Sequence, residues 1–134
     1  MYQGKVQIRV RYAETDQMGY VYYGNYASYF EVARVETLRN LGYSYKSIEE
    51  GGIILPVLSY SIKYIKPAFY DDLLTINVAI VEIPMARIKF EYETYNEKYE
   101  LINRADTTLV FLDKKTQKPH AAPADLIATL KKYF

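Results

Sequence analysis

Between Asn25 and Leu41 apolar residues recur at helical spacing, and no other long stretch of the chain does this. Tyr26, Phe30, Ala33, Thr37 and Leu41, with Tyr29 and Leu38 beside them, fall on one face of a helix. Ser28, Glu31, Glu36, Arg39 and Asn40 take the other face, where Glu31 is spaced to pair with Arg34. Gly42 follows as a left-handed stop, because only glycine adopts that conformation without a Cβ penalty. Asn25 suits the N-cap, where its amide oxygen would take a free N–H of the first turn. Such a helix is roughly 25 Å long at ~1.5 Å per residue, enough to cross a small domain. A single helix with one apolar face needs a sheet to lie on, and the rest of the chain supplies strands.

Residues 5–12 alternate, with Val6, Ile8, Val10 and Tyr12 opposing Lys5, Gln7, Arg9 and Arg11, which predicts a half-buried strand. After the helix, Gly42 to Gly52 reads as a linker with a helical turn over Tyr45 to Glu49. Four more strands are predicted, over Ile54–Lys66, Leu73–Ile83, Arg87–Tyr95 and Tyr99–Leu112, with no helix between them. Pro56 marks the first of these as an edge strand or an early bulge. Short connections predict an antiparallel meander for the last four strands. Ala122-Pro123-Ala124-Asp125 is a start signal for a short helix ending near Tyr133. The expectation is one α+β domain over residues 1–134, a curved five-stranded antiparallel sheet wrapped around one long helix.

Composition removes many chemistries. The chain has 134 residues, enough to bury a core without staples, and no cysteine, so disulfides, thiolate metal sites and a cysteine nucleophile are excluded. The one histidine, His120, lies between Pro119 and Ala121 and reads as a surface residue. No Gly-x-Ser-x-Gly elbow supplies a serine for it. A metal site is not expected, since Asp71 and Asp72 read as turn residues and other ligands are lacking. Dinucleotide and phosphate-loop glycine patterns are absent. A net charge of +1, with Lys and Arg dispersed, argues against nucleic acid or an anionic membrane as partner. No apolar run is long enough to span a bilayer, and the N-terminal residues lack a secretory pattern, so a cytoplasmic protein is expected. Sixteen tyrosines without a tryptophan suit a tyrosine-rich sheet and a subunit interface.

What remains is a carboxylate ahead of a helix. Asp16-Gln17-Met18-Gly19 leads through the aromatic turn Tyr20-Val21-Tyr22-Tyr23-Gly24 into the helix start. First-turn N–H groups lack partners within a helix and carry partial positive charge, so a carbonyl oxygen placed there is polarised. A nearby carboxylate can attack the carbonyl carbon or take a proton from water. This is a minimal acyl-transfer site, and without a strong acid it suits a thioester better than an amide. The same Asp in a loop is also ordinary turn chemistry, since Asx side chains bond their own backbone.

The residues also carry a resemblance. Asp16-x-x-Gly19-x-Val21-Tyr22-Tyr23-x-Asn25-Tyr26, followed by Phe30-Glu31-x-Ala33-Arg34, resembles the signature of the 4-hydroxybenzoyl-CoA thioesterase family. That family includes the YbgC-type acyl-CoA thioesterases with the hotdog fold, and the similarity continues through Pro56 and Tyr70-Asp71-Asp72-Leu73-Leu74. The resemblance implies an acyl-CoA thioesterase in which Asp16 is nucleophile or general base and the Tyr23 backbone N–H polarises the thioester carbonyl. It implies that Gly19 allows the close turn and that Tyr22 and Asn25 adjoin the substrate. Leu55, Pro56 and Val57 match a segment lining the acyl pocket across a subunit interface. Arg87 and Lys89 lie near the positions that meet the coenzyme A phosphates. Homodimers, assembled into homotetramers, are implied, with coenzyme A present only as part of the substrate and no further cofactor.

The chain also departs from the pattern. Many YbgC-type relatives have histidine where this chain has Tyr23. Glu31 stands where the hydroxybenzoyl branch has an aspartate, and Leu55 replaces a polar pocket residue. An apolar acyl group, short, medium-chain or aromatic, is therefore expected. The alternatives are a thioesterase acting on acyl carrier protein and an acyl-thioester-binding module without turnover.

Overall fold

A computed structural model describes all 134 residues. Strand β1 (Tyr2–Arg9) leads through a single 3-10 turn at Tyr12–Glu14 into helix α1 (Asn25–Asn40). Helix α2 (Tyr45–Glu50), strand β2 (Ile53–Ile54) and strand β3 (Val57–Tyr64) follow. Strands β4 (Leu73–Ile80), β5 (Arg87–Tyr95), β6 (Leu101–Val110) and β7 (Leu112–Asp113) precede helix α3 (Ala124–Lys131).

The main sheet has five strands in the order β1-β4-β5-β6-β3, each pair antiparallel. Helix α1 touches both of its edges. Thr37 packs on Gly4 of β1, while Tyr26 and Phe30 meet Tyr64 and Tyr60 of β3 at ring separations of 5.9 and 6.1 Å. Phe30 also stacks on Tyr92 of the middle strand at 4.5 Å. One helix roughly 10 Å across can reach both edges of five strands only if the sheet curls around it. The helix face facing the sheet is the one predicted, with one addition. Arg34 is buried at 7% exposure and donates from Nε to the Tyr45 hydroxyl at 3.1 Å. The expected pairing of Arg34 with Glu31 is therefore not made; Glu31 stays exposed.

Three expectations are corrected. The strands after α1 are not a simple meander: β4, β5 and β6 are, but β3 pairs with β6 on the far edge. The segment 65–72 must then carry the chain back across to β4. Its course is pinned beneath the start of α1, where fully buried Ala68 accepts the Val21 N–H at 2.8 Å. The predicted strand Ile54–Lys66 is split, because Ile53 and Ile54 pair with β7 while β3 begins after Pro56 with a bulge. Pro56 thus does stand at the start of an edge strand. The first strand ends at Arg9, and Tyr12, placed on its inner face by alternation, is 75% exposed. Arg11 and Glu14 close a turn there that removes Tyr12 from the pleat.

At the far end of α1 the glycine stop holds. Gly42 has φ +95°, its N–H bonds the Arg39 carbonyl, and Tyr43 N–H bonds that of Leu38, a Schellman closure. Helix α3 seals the core beside it with Leu126 and Leu130. No helix is long and apolar enough to cross a membrane.

Candidate active site

The chain from Glu14 to Tyr22 folds back on itself as a tight hairpin. Asp16 N–H donates to Tyr20 O and Tyr22 N–H to Glu14 O, both at 2.8 Å. Its turn requires a left-handed residue, supplied by Gly19 at φ +82°. The Asp16 side chain caps this turn, with Oδ1 accepting the N–H groups of Met18 at 2.9 Å and Tyr20 at 3.3 Å. This is the Asx bonding expected of a loop aspartate. It ties only one oxygen; Oδ2 has no partner within the chain.

Asp16 lines a cleft of about 430 Å³ with Met18, Tyr20, Val21, Tyr23, Tyr26, Tyr64, Ile65, Lys66 and Pro67. The walls are largely apolar and aromatic, with few polar groups, as in most small-molecule sites. Three segments that sequence alone does not join meet here: the hairpin, the start of α1, and the crossing segment after β3.

The helix start differs in detail from expectation. Gly24, not Asn25, is the N-cap. Asn25 instead turns its side chain back, donating from Nδ2 to the Glu14 carbonyl at 2.8 Å. The amides of Asn25 and Tyr26 are closed onto the carbonyls of Tyr22 and Tyr23. The unpaired donors lie one step earlier: Tyr23 N–H and Gly24 N–H make no hydrogen bond. A Cβ at Gly24 would lie 2.9 Å from the ring of exposed Tyr22, which would have to shift to admit it. The free main-chain donors thus lie in the turn just before the helix.

The other predicted residues fall as follows. Tyr22 is exposed and its ring lies against that of Tyr23 at 4.7 Å. Leu55 packs on the core, and Val57 lines a separate hollow of about 220 Å³ beside Ser28, Glu31, Arg34 and Tyr60. Pro56 is exposed, and none of the three lines the Asp16 cleft of their own chain. Arg87 and Lys89 are exposed on β5 and do not line that cleft either. The cation that does is Lys66, which sequence reasoning missed; its ammonium pairs with Glu100. Only the crossing of segment 65–72 brings it there, and no local signal announces that. His120 is exposed, with Nδ1 against the Ala121 carbonyl at 2.6 Å. Asp71 and Asp72 are turn residues, Asp72 accepting the Phe69 N–H. No group of three or more His, Cys, Asp or Glu side chains could hold a metal.

Residues 10–130 match the Thioesterase-like superfamily. The chain belongs to that family. Among curated relatives it is 36% identical to the putative acyl-CoA thioesterase YneP of Bacillus subtilis, over 89% of this chain and 86% of that one. It is 31% identical to the acyl-CoA thioester hydrolase YbgC of Escherichia coli, over 92% of each. Among solved structures, the DHNA-CoA thioesterase of Staphylococcus aureus superposes with a TM-score of 0.94 at 36% identity, covering 99% of this chain and 91% of that one. The curled sheet around α1 is the hotdog fold of this thioesterase family.

Proposed function

We infer that this protein is a hydrolase of acyl-CoA thioesters carrying a short, medium-chain or aromatic acyl group. The observation that carries the reading is a cleft lined by Asp16, only half tethered, and by Tyr23, whose N–H is unpaired, in a chain of the thioesterase family. The thioester carbonyl oxygen sits against the amide of Tyr23, which stabilises the charge that grows on it. Asp16 Oδ2 acts on the carbonyl carbon. As a nucleophile it forms a mixed anhydride and expels the coenzyme A thiolate, and water then cleaves the anhydride. As a general base it takes the proton of the attacking water, and the same thiolate leaves. A thiolate departs without prior protonation, which matches a site with no histidine.

In this reading Gly19, Tyr22 and Asn25 shape the turn around the carbonyl, and Leu55, Pro56 and Val57 complete the acyl pocket across a subunit interface. Arg87 and Lys89 are assigned to the coenzyme A phosphates, with Lys66 added at the cleft. The proposed assembly is a homodimer, paired further into a homotetramer, acting in the cytoplasm. The exposed apolar edge of β3, with Val57, Leu58, Tyr60 and Tyr64 all 39–51% exposed, supports the dimer. Coenzyme A enters only with the substrate, and no cofactor or metal is invoked.

Thiol release from a panel of acyl-CoAs tests the reading. Asp16→Asn and Asp16→Ala are expected to lower turnover by about 10²–10⁴-fold with the fold intact. Full turnover in both folded variants removes Asp16 from the mechanism. An acyl carrier protein thioester in the same assay separates the carriers. Tight acyl-CoA binding by the wild type without thiol release makes it a binding module instead.

A further inference from the structure

The hairpin that bears Asp16 is too small to hold its own angle to α1, since isolated two-stranded hairpins are marginal in water. Val21 N–H on the Ala68 carbonyl ties its outgoing leg to the crossing segment, and its contacts to α1 converge on Glu14. Its carbonyl oxygen accepts twice, from Tyr22 N–H and from Asn25 Nδ2, each at 2.8 Å. Its carboxylate accepts the Tyr29 hydroxyl on Oε1 at 2.9 Å. Arg11 holds that carboxylate from behind, with its N–H on Oε1 at 2.8 Å and its guanidinium on Oε2 at 2.9 Å. Asn25 and Tyr29 are four residues apart, so they stand one above the other on the same face of α1. Residue 14 is gripped along a full helical turn, by main chain at the lower contact and by side chain at the upper.

Neither partner is free to drift. Tyr29 is 3% exposed and the Glu14 side chain 12%. Glu14 and Tyr29 do not line the Asp16 cleft. The two groups of the site stand on opposite legs of this hairpin and its exit: Asp16 lies two residues after Glu14, and Tyr23 follows the residue whose amide binds Glu14 O. A bond lost at Glu14 therefore moves the carboxylate relative to the unpaired amide without removing either.

We propose that Glu14 is a positioning residue, latched by Asn25 and Tyr29, that sets the Asp16 carboxylate against the Tyr23 N–H. The role rests on the hydrolase reading above. Glutamate at 14 acts through hydrogen bonds it accepts, so its charge is secondary to its geometry.

The test compares Tyr29→Phe, which removes one hydroxyl, with Glu14→Ala, Glu14→Gln and the Glu14→Ala/Tyr29→Phe pair. Glutamine keeps an acceptor for Tyr29 and Arg11 N–H. Misplacement by about an ångström costs on the order of 10- to 100-fold in rate. Tyr29→Phe and Glu14→Ala are expected to lose kcat on that scale with KM within about twofold, the double variant no worse than Glu14→Ala, and Glu14→Gln mostly restored. Unchanged kcat in folded Tyr29→Phe and Glu14→Ala, with only the melting midpoint lowered, overturns the proposal. So does a multiplicative double variant, or a Glu14→Gln as poor as Glu14→Ala. Should the wild type release no thiol, the hydrolase reading fails separately, and amide exchange decides the latch. Tyr29→Phe is then expected to speed exchange at the Asp16 and Tyr22 amides while Phe90 and Tyr92 in mid-sheet stay protected. Equal rates at Asp16 and Tyr22 overturn it.

Discussion

Glu14 concentrates opposing electrostatic influences on one side chain. Partial burial pushes its carboxyl up, but the bonds from the Arg11 side chain and amide and from the Tyr29 hydroxyl outweigh this, and the net displacement is below the ordinary value of 4.5. A depressed folded value means that the ionised group stabilises the fold above the unfolded pKa. That stabilisation fades as the pH falls through the lower folded value. Denaturant unfolding of wild type and Glu14→Gln should therefore show a gap at neutral pH that closes in acid below 4.5. A gap independent of pH would mean that the carboxylate charge contributes nothing to the fold. Two other residues show the limit of such satisfaction. Thr94 and Asn103, paired across β5 and β6, are fully buried with Oγ1, Nδ2 and Oδ1 unbonded within the chain. Such buried, unpartnered polar groups are rare and each costs stability.

Among elements, β1 and α1 approach closely where Gly4 faces Thr37. A Cβ on Gly4 would lie 2.5 Å from Thr37 Oγ1 and 3.0 Å from its Cγ2. Thr37 cannot swing aside freely, because it is β-branched and its hydroxyl donates to the Ala33 carbonyl at 2.7 Å. Gly4→Ala is expected to cost about 1–3 kcal/mol in urea unfolding. Thr37→Ala in the same chain should return part of that loss, since it removes the colliding atoms. Additive losses would place the strain elsewhere. Helix α1 itself was legible from Tyr26, Phe30 and Ala33, and Gly42 marked its end. Its beginning was not: Asn25 has the chemistry of an N-cap, yet the Glu14 carbonyl claims its amide from outside the helix.

At the scale of the molecule, the sheet closes neither of its edges, and the two edges differ. Both carry polar residues on the outer face, Gln3 and Lys5 on β1 and Ser61 and Lys63 on β3, but on the face towards α1 Val6 and Ile8 of β1 are half-buried whereas Leu58, Tyr60 and Tyr64 of β3 stay exposed. An apolar unpaired edge invites pairing with a second copy. Leu58→Glu is expected to shift the sedimentation-equilibrium mass from a multiple of the chain to that of one chain, with loss of turnover. A wild type already monomeric at micromolar concentration would remove the dimer from the proposed assembly. The β3 edge is also where Leu55, Pro56 and Val57 emerge, outside the Asp16 cleft of their own chain. That separation is what a pocket built from two chains requires.

Local chemistry was readable because its causes are local. The period of apolar residues set the helix and strands, Gly19 and Gly42 set left-handed turns, and the absence of cysteine and of all but one histidine left a carboxylate as the candidate reactive group. Tertiary structure decided what depends on distant partners: β3 on the far edge beside β6, Lys66 rather than Arg87 at the cleft, and which turn amides stay unpaired. The place of Lys66 follows from where segment 65–72 crosses beneath α1. The crossing is fixed by burial and hydrogen bonds between residues some fifty positions apart, such as Val21 and Ala68, which no local pattern encodes.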